Sequence, residues 1–200
     1  MRLWASTLAA SLMVLTGSSG SALAARPLPP IVEVEGRCEV SALDKFADTR
    51  KSFSQEAAGG GMTEALVDVR NCDFSNLNLS GKVMSGVQLQ GANFKNAKLV
   101  GSQFARADAR GANLAGADLS DTNAYSTNFN GANLEGAQFE NSVLTMAMFG
   151  RDGPESPWAN LKGAHFEGAL ISSSDVERIC ENPTLEEDTR KYELGCRKGR

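Results

Sequence analysis

Aromatic residues are scarce in this chain of 200 residues: phenylalanine, tryptophan and tyrosine together make up 6%. With so little bulk and with frequent glycine, a thin, turn-rich architecture is expected rather than a thick sandwich. Histidine occurs once, at His165, and no CxxC pair occurs, so a dithiol redox centre is not expected. No phosphate-binding loop, no metal-ligand spacing and no nucleophile elbow can be found. The chain is therefore read as a non-enzyme that needs no cofactor and no metal. Long apolar runs are also missing. The only candidate, Leu3–Leu15, is too short and too rich in alanine and serine to span a bilayer.

That run has the form of a removable export signal. Arg2 is the only charge before Arg26, and Ala22-Leu23-Ala24 places small residues where a signal peptidase reads. Residues 1–24 are assigned to the signal, with a mature chain beginning at Ala25 and without an integral membrane segment. Cleavage removes one positive charge and takes the formal charge from −4 to −5. A mildly acidic chain is a poor partner for a phosphate backbone, so no nucleic acid is expected. Pro27, Pro29 and Pro30 make residues 25–37 an extended linker.

What the sequence has in abundance is a period of five. Ala92-Asn93-Phe94-Lys95-Asn96, Ala112-Asn113-Leu114-Ala115-Gly116 and Ala132-Asn133-Leu134-Glu135-Gly136 are three of its statements. Taking the large apolar residue as the centre, the centres run Val69, Phe74, Leu79, Met84, Leu89, Phe94, Leu99, Phe104, Ala109, Leu114, Leu119, Ala124, Phe129, Leu134, Phe139, Leu144 and Phe149. After a break, Leu161, Phe166 and Ile171 continue in a shifted phase. Two residues before the centre the side chain is small, except at Leu77 and Lys82, and a mostly polar residue lies between. Small-in, polar-out, large-in is strand alternation, and the period of five demands a turn after every few residues. Gly81, Gly86, Gly91, Gly101, Gly111, Gly116, Gly131 and Gly136, each two past a centre, fit that turn.

This A(D/N)LxG pattern resembles the pentapeptide-repeat family over residues 67–173. The resemblance implies an all-β solenoid, a right-handed quadrilateral β-helix with four pentapeptides per coil. Twenty repeats then make about five coils and a column about 24 Å tall. Centres twenty residues apart should stack, with the undersized Ala109 and Ala124 beside Phe129 and Phe104. In this register Phe104→Asp should disrupt folding, while Asn113→Asp should be nearly neutral.

Both ends carry helical sequence. Between Ser41 and Gly59, Leu43, Phe46, Ala47, Phe53 and Ala57 recur at helical spacing, with Ser41 and Asp44 as a capping pair. Ser174 and Glu177 are expected to start one C-terminal helix, and Thr184 and Glu187 a second that ends at Gly195. Residues 38–61 are read as an N-terminal cap, 62–173 as the β-helix and 174–200 as a C-terminal cap. The stretch 150–158 interrupts the repeat. Phe149 to Leu161 is twelve residues, read as two pentapeptides plus two, and Asp152-Gly153, Pro154 and Pro157 mark an outward loop. Arg151, Asp152 and Trp158 are its candidate interaction residues, although a lone Trp at a loop base more often packs locally.

The four cysteines allow three pairings. With an export signal, two local bridges are expected, Cys38–Cys72 around the N-terminal helix and Cys180–Cys196 around the C-terminal pair. His165 falls in the outward slot of Ala164-His165-Phe166 without an obvious orienting partner, and Asp108, Asp118 and Asp121 are scattered carboxylates. Finally, Arg178-Ile179-Cys180-Glu181-Asn182 with Leu194-Gly195-Cys196-Arg197, and Ser41–Phe46 with Val67–Cys72, are similar to the pentapeptide-repeat proteins of the chloroplast thylakoid lumen. That resemblance implies a lumenal protein, the alternative being a bacterial periplasm or cyanobacterial lumen. It implies a non-catalytic scaffold or assembly and regulatory factor whose partners are other lumenal or periplasmic proteins. The alternative from the wider family is a mimic of duplex DNA that binds a topoisomerase. Lys95, Lys98, Arg106 and Arg110 interrupt the acidic surface such mimicry needs.

Overall fold

The chain returns to the same place every twenty residues. In the computed structural model, Asp68 bridges Gln88 in parallel, Gln88 bridges Asp108, Asp108 bridges Asn128 and Asn128 bridges Met148. The columns starting at Asp73, Asn78 and Val83 climb in the same way. Four short strands per turn of the chain thus build a four-sided column. The structure describes residues 30–31, 33, 35–43, 67–150 and 157–196. The assigned signal, most of the linker, the greater part of the helix expected over Ser41–Gly59, Arg151 and Asp152 lie outside the described residues.

Each corner is made by the residue two past a centre. From Asn71 to Gly168 every described residue at this position has a positive φ, between 55° and 70°. Glycine takes this conformation without a Cβ penalty, and asparagine and aspartate, here Asn71, Asn76, Asn96, Asn141 and Asp121, tolerate it better than other side chains do. Arg106, Ser126 and Met146 have neither excuse, and the three stack in one corner column. Nearly all the turns are closed by the residue two before a centre donating to the preceding centre's carbonyl, as Ala97 does to Phe94 at 2.9 Å. The centre's own N–H donates to the next coil, as Phe94 does to Asn113 at 2.6 Å.

The centres fill the interior. Phe74, Leu79, Leu89, Phe94, Leu99, Phe104, Leu114, Leu119, Phe129, Leu134, Phe139, Leu144, Phe149, Leu161 and Phe166 are all buried, and Ile171 is partly so. Phe74 stacks on Phe94 at 5.2 Å and Phe129 on Phe149 at 5.4 Å. Where the small slot holds a hydroxyl, the group turns back onto the chain. Ser102, Thr122 and Ser142 donate to the carbonyls of Leu99, Leu119 and Phe139 at 2.5, 2.7 and 2.7 Å, so none is left unsatisfied in the core. The two exceptions to the small slot lie in the first coil: Leu77 is 39% exposed and Lys82 is half-buried.

The break proves to be a seven-residue insertion into one corner, not two pentapeptides plus two residues. Bridges below it join residues twenty apart; above it Asn133 bridges Asn160, Gln138 bridges His165 and Val143 bridges Leu170, twenty-seven apart. Leu161 is therefore the very next centre after Phe149, and Phe166 stacks on Phe139 at 5.3 Å. Ala159 N–H donates to Phe149 C=O at 2.9 Å, the ordinary corner bond drawn across a longer chord. Pro157 C=O accepts from Gly131 N–H at 3.0 Å, the role that Arg110, one past a centre, plays for Gly91. Trp158 is half-buried and packs against Gly150 (φ 123°), where a Cβ would come within 2.8 Å of the Trp158 Cα.

After the last bridge comes α1, Ser173–Cys180. Its N-cap is Ser172, two residues earlier than expected, because the Ser172 hydroxyl accepts the Asp175 N–H at 3.3 Å. Thr184 does not start a second helix. Its hydroxyl is engaged by the Leu161 N–H at 2.8 Å, and the later helical segment contains a π-turn, Thr189–Glu193, followed by Gly195 at φ 63°. At the other end residues 40–43 are helical, and Ala42 and Leu43 are buried. Ser41 lies inside that turn rather than capping it, its hydroxyl donating to Glu39 at 3.1 Å. Disulfides join Cys38 to Cys72, with Cα atoms 5.1 Å apart, and Cys180 to Cys196, 5.8 Å apart.

Candidate interaction faces

The outward slot between the small residue and the centre is stacked by the bridges into continuous columns, and their chemistry differs from face to face. On one face the column is Asp73, Asn93, Asn113, Asn133 and Asn160. Each asparagine donates its amide downward: Asn93 to Asp73 at 3.0 Å, Asn113 to Asn93 at 3.1 Å, Asn133 to Asn113 at 3.5 Å and Asn160 to Asn133 at 3.1 Å. The carboxamide oxygens also accept the backbone N–H two residues on, as Asn93 does from Lys95 at 3.2 Å. The result is a ladder of side chains locked in both directions. The Ser75 N–H, the Ser75 hydroxyl and the Asn93 amide hold the Asp73 carboxyl below its usual range.

The adjoining face carries two ion pairs. Arg70 meets Asp68 at 2.5 Å and Arg110 meets Asp108 at 2.6 Å. Hydrogen bonding to Arg70 lowers the Asp68 pKa, outweighing burial, and Asp108 raises that of Arg110. Between the pairs lie Gln88 and Gln90, whose buried atoms Gln88 Oε1, Gln90 Oε1 and Gln90 Nε2 find no partner. A third column is Asn78, Lys98, Asp118, Gln138 and His165; the fourth, Val83, Gln103, Asn123, Val143 and Leu170, is the most apolar. Leu170 is 62% and Met146 51% exposed there, and the Tyr125 hydroxyl donates to the Met146 sulfur at 3.2 Å.

His165 is exposed, as its slot implies, but it does have a carboxylate neighbour. Its Nδ1 lies 3.3 Å from Glu193 Oε1, on the chain that folds back after α1. Twenty-eight residues separate the two, and nothing in the repeat points across that gap. The other Glu193 oxygen accepts the Phe166 N–H at 2.5 Å, so the carboxylate holds backbone. Among the described residues no cluster of three or more His, Cys, Asp or Glu side chains could hold a metal, and no helix is long and apolar enough to cross a membrane. Of the loop residues singled out from sequence, Trp158 lines a small cavity together with Arg178 and Ile179 of α1. Arg151 and Asp152 lie outside the described residues.

A four-sided column climbed by one strand ladder per side defines a β-helical solenoid. The repeat that builds it identifies the family: the chain is a pentapeptide-repeat protein. The family profile for pentapeptide repeats matches in eight copies over residues 68–104, 88–123 and 102–141. Similar solved structures include a pentapeptide-repeat protein from the thylakoid lumen of Arabidopsis thaliana. It is 27% identical with a TM-score of 0.45, over 70% of this chain and 99% of that one. A pentapeptide-repeat protein of the cyanobacterium Cyanothece is 30% identical with a TM-score of 0.28, over 57% and 67% of the two chains. HetL of the cyanobacterium Nostoc, involved in heterocyst differentiation regulation, is 19% identical with a TM-score of 0.36, over 60% and 68%. No curated protein matches.

Proposed function

We propose that the chain is an exported, non-catalytic scaffold or assembly and regulatory factor that binds other proteins through the rigid faces of its column. In this reading it is a right-handed quadrilateral β-helix of about five coils, closed by helical segments at both ends. Its compartment is the thylakoid lumen, the alternative being a bacterial periplasm or cyanobacterial lumen. The observation that carries the proposal is the ladder from Asp73 to Asn160, where each rung is fixed by the one below and by the backbone two residues on. A face already ordered loses little side-chain entropy when a partner docks. Two disulfides and the signal-like first 24 residues support an oxidising compartment. The duplex-mimic reading has less support, because Arg70 and Arg110 neutralise Asp68 and Asp108 in place.

The test is affinity capture from isolated lumen or periplasm on the immobilised mature chain and on an Asn113→Arg/Asn133→Arg variant. The expected result is a protein retained by the first and lost with the second. Capture that ignores the ladder face, or retention of a topoisomerase instead, sinks the proposal.

A further inference from the structure

The last coil presents an edge: its centres' N–H groups and its small residues' carbonyls point toward a coil that the repeat does not supply. An open edge of this kind recruits other strands. Here the chain after α1 covers it with side chains that take the places of the missing backbone. Asn182 Nδ2 donates to Ala159 C=O at 2.9 Å and Thr184 Oγ1 accepts from Leu161 N–H at 2.8 Å. One side further round, Thr189 Oγ1 donates to Ala164 C=O at 3.4 Å and Glu193 Oε2 accepts from Phe166 N–H at 2.5 Å. All four residues fall between Cys180 and Cys196, so one covalent loop encloses the whole set. A fifth substitute lies outside that loop: Asp175 Oδ2 in α1 accepts from Met146 N–H at 2.8 Å. Arg190 braces the loop from within, donating to the carbonyls of Cys180, Asn182 and Leu185.

We infer that the Cys180–Cys196 disulfide is a redox latch: a dithiol opens it, releases the loop that carries Asn182, Thr184, Thr189 and Glu193, and uncovers two sides of the last coil's edge. The chemistry is thiol–disulfide exchange. One thiolate of the dithiol attacks a sulfur of the bridge and the other cysteine leaves as thiolate; the second thiol then displaces the first cysteine from the mixed disulfide. The reductant ends as a disulfide and its two hydrogens end on Cys180 and Cys196. Both cysteines are partly exposed, so a small dithiol can reach the bond. The rest of the column stays folded, because stability in a solenoid is mostly nearest-neighbour.

Amide hydrogen exchange on the full chain, followed residue by residue, tests the latch. With a dithiol, exchange at Leu161 and Phe166 should accelerate by up to on the order of a hundredfold, the loop-closure value for a ring of this size. Met146, held by Asp175 outside the ring, and Leu119, deep in the column, should keep their oxidised rates. The Cys180→Ser/Cys196→Ser variant should show the fast rates before any dithiol is added, which separates this bridge from Cys38–Cys72. Unchanged rates at Leu161 and Phe166 overturn the inference, as does a rise at Met146 in step with them. Should the variant lose Leu119 protection as well, the dithiol titration of the unmodified chain decides.

Discussion

At the scale of single residues, the corner position sets the rules. Gly111 sits at φ 63° with nothing within 4 Å of where a Cβ would lie. Gly111→Ala therefore tests the backbone alone, and it should cost about 1–2 kcal/mol in urea unfolding. Arg106 at φ 61° carries that cost already, so Arg106→Gly should gain up to about 1 kcal/mol. A neutral Gly111→Ala would refute the corner geometry. The outward slot is less permissive than its exposure suggests. Asn113→Asp reads as nearly neutral from the repeat pattern, yet it would place a carboxylate oxygen where an amide now donates to Asn93 Oδ1 at 3.1 Å. A loss of about 1 kcal/mol is expected, with Phe104→Asp far worse because it buries a charge. Equal melting temperatures for these two variants would contradict the register. The alternation that puts Phe104 inside is written in the sequence; the ladder partner of Asn113 is twenty residues away and becomes visible only once coils stack.

At the scale of elements, α1 and the chain after it are where sequence signals misled. Ser174 and Thr184 look like helix starts because each precedes a glutamate by three residues, but Ser172 and the last coil's N–H groups compete for the capping roles. Tertiary hydrogen bonds won at Thr184, whose hydroxyl serves Leu161. Thr184→Val, which keeps the shape and removes the acceptor, should cost about 1–3 kcal/mol by leaving that N–H unpartnered. Asp175 is the element's pH-sensitive part. Burial raises its pKa, but the Ser172 hydroxyl, the Met146 N–H and Arg178 together bring it below the ordinary 3.8. A depressed folded pKa means stability present above the unfolded value and lost as pH falls through the folded one. Acidification from about pH 5 to about pH 2 should therefore loosen the contact between α1 and Met146. Asp175→Asn should flatten the acid dependence of Met146 amide exchange; an equally steep dependence in that variant would refute the assignment.

At the scale of the whole molecule, the insertion tests the architecture. Deleting residues 150–156 would join Phe149 directly to Pro157-Trp158-Ala159-Asn160-Leu161, a complete pentapeptide except that Trp158 would occupy the corner. With Trp158→Gly added, the shortened chain should fold with an unchanged far-ultraviolet circular dichroism spectrum. Loss of the fold would show that the two phases of the repeat are not one ladder.

By itself the sequence determined the period, the inside and outside of each strand and the corner glycines. Each of these is carried by residues within a few positions of one another, or by a pattern stated so often that single exceptions do not blur it. Only the tertiary structure decided that Leu161 follows Phe149 as the next centre, that asparagines join into a ladder, that Glu193 stands beside His165, and that Asn182, Thr184, Thr189 and Glu193 take the place of a missing coil. These depend on groups brought together from twenty or more positions apart, and hydrogen-bonding demand at an unfinished edge leaves no periodic trace in the residues that meet it.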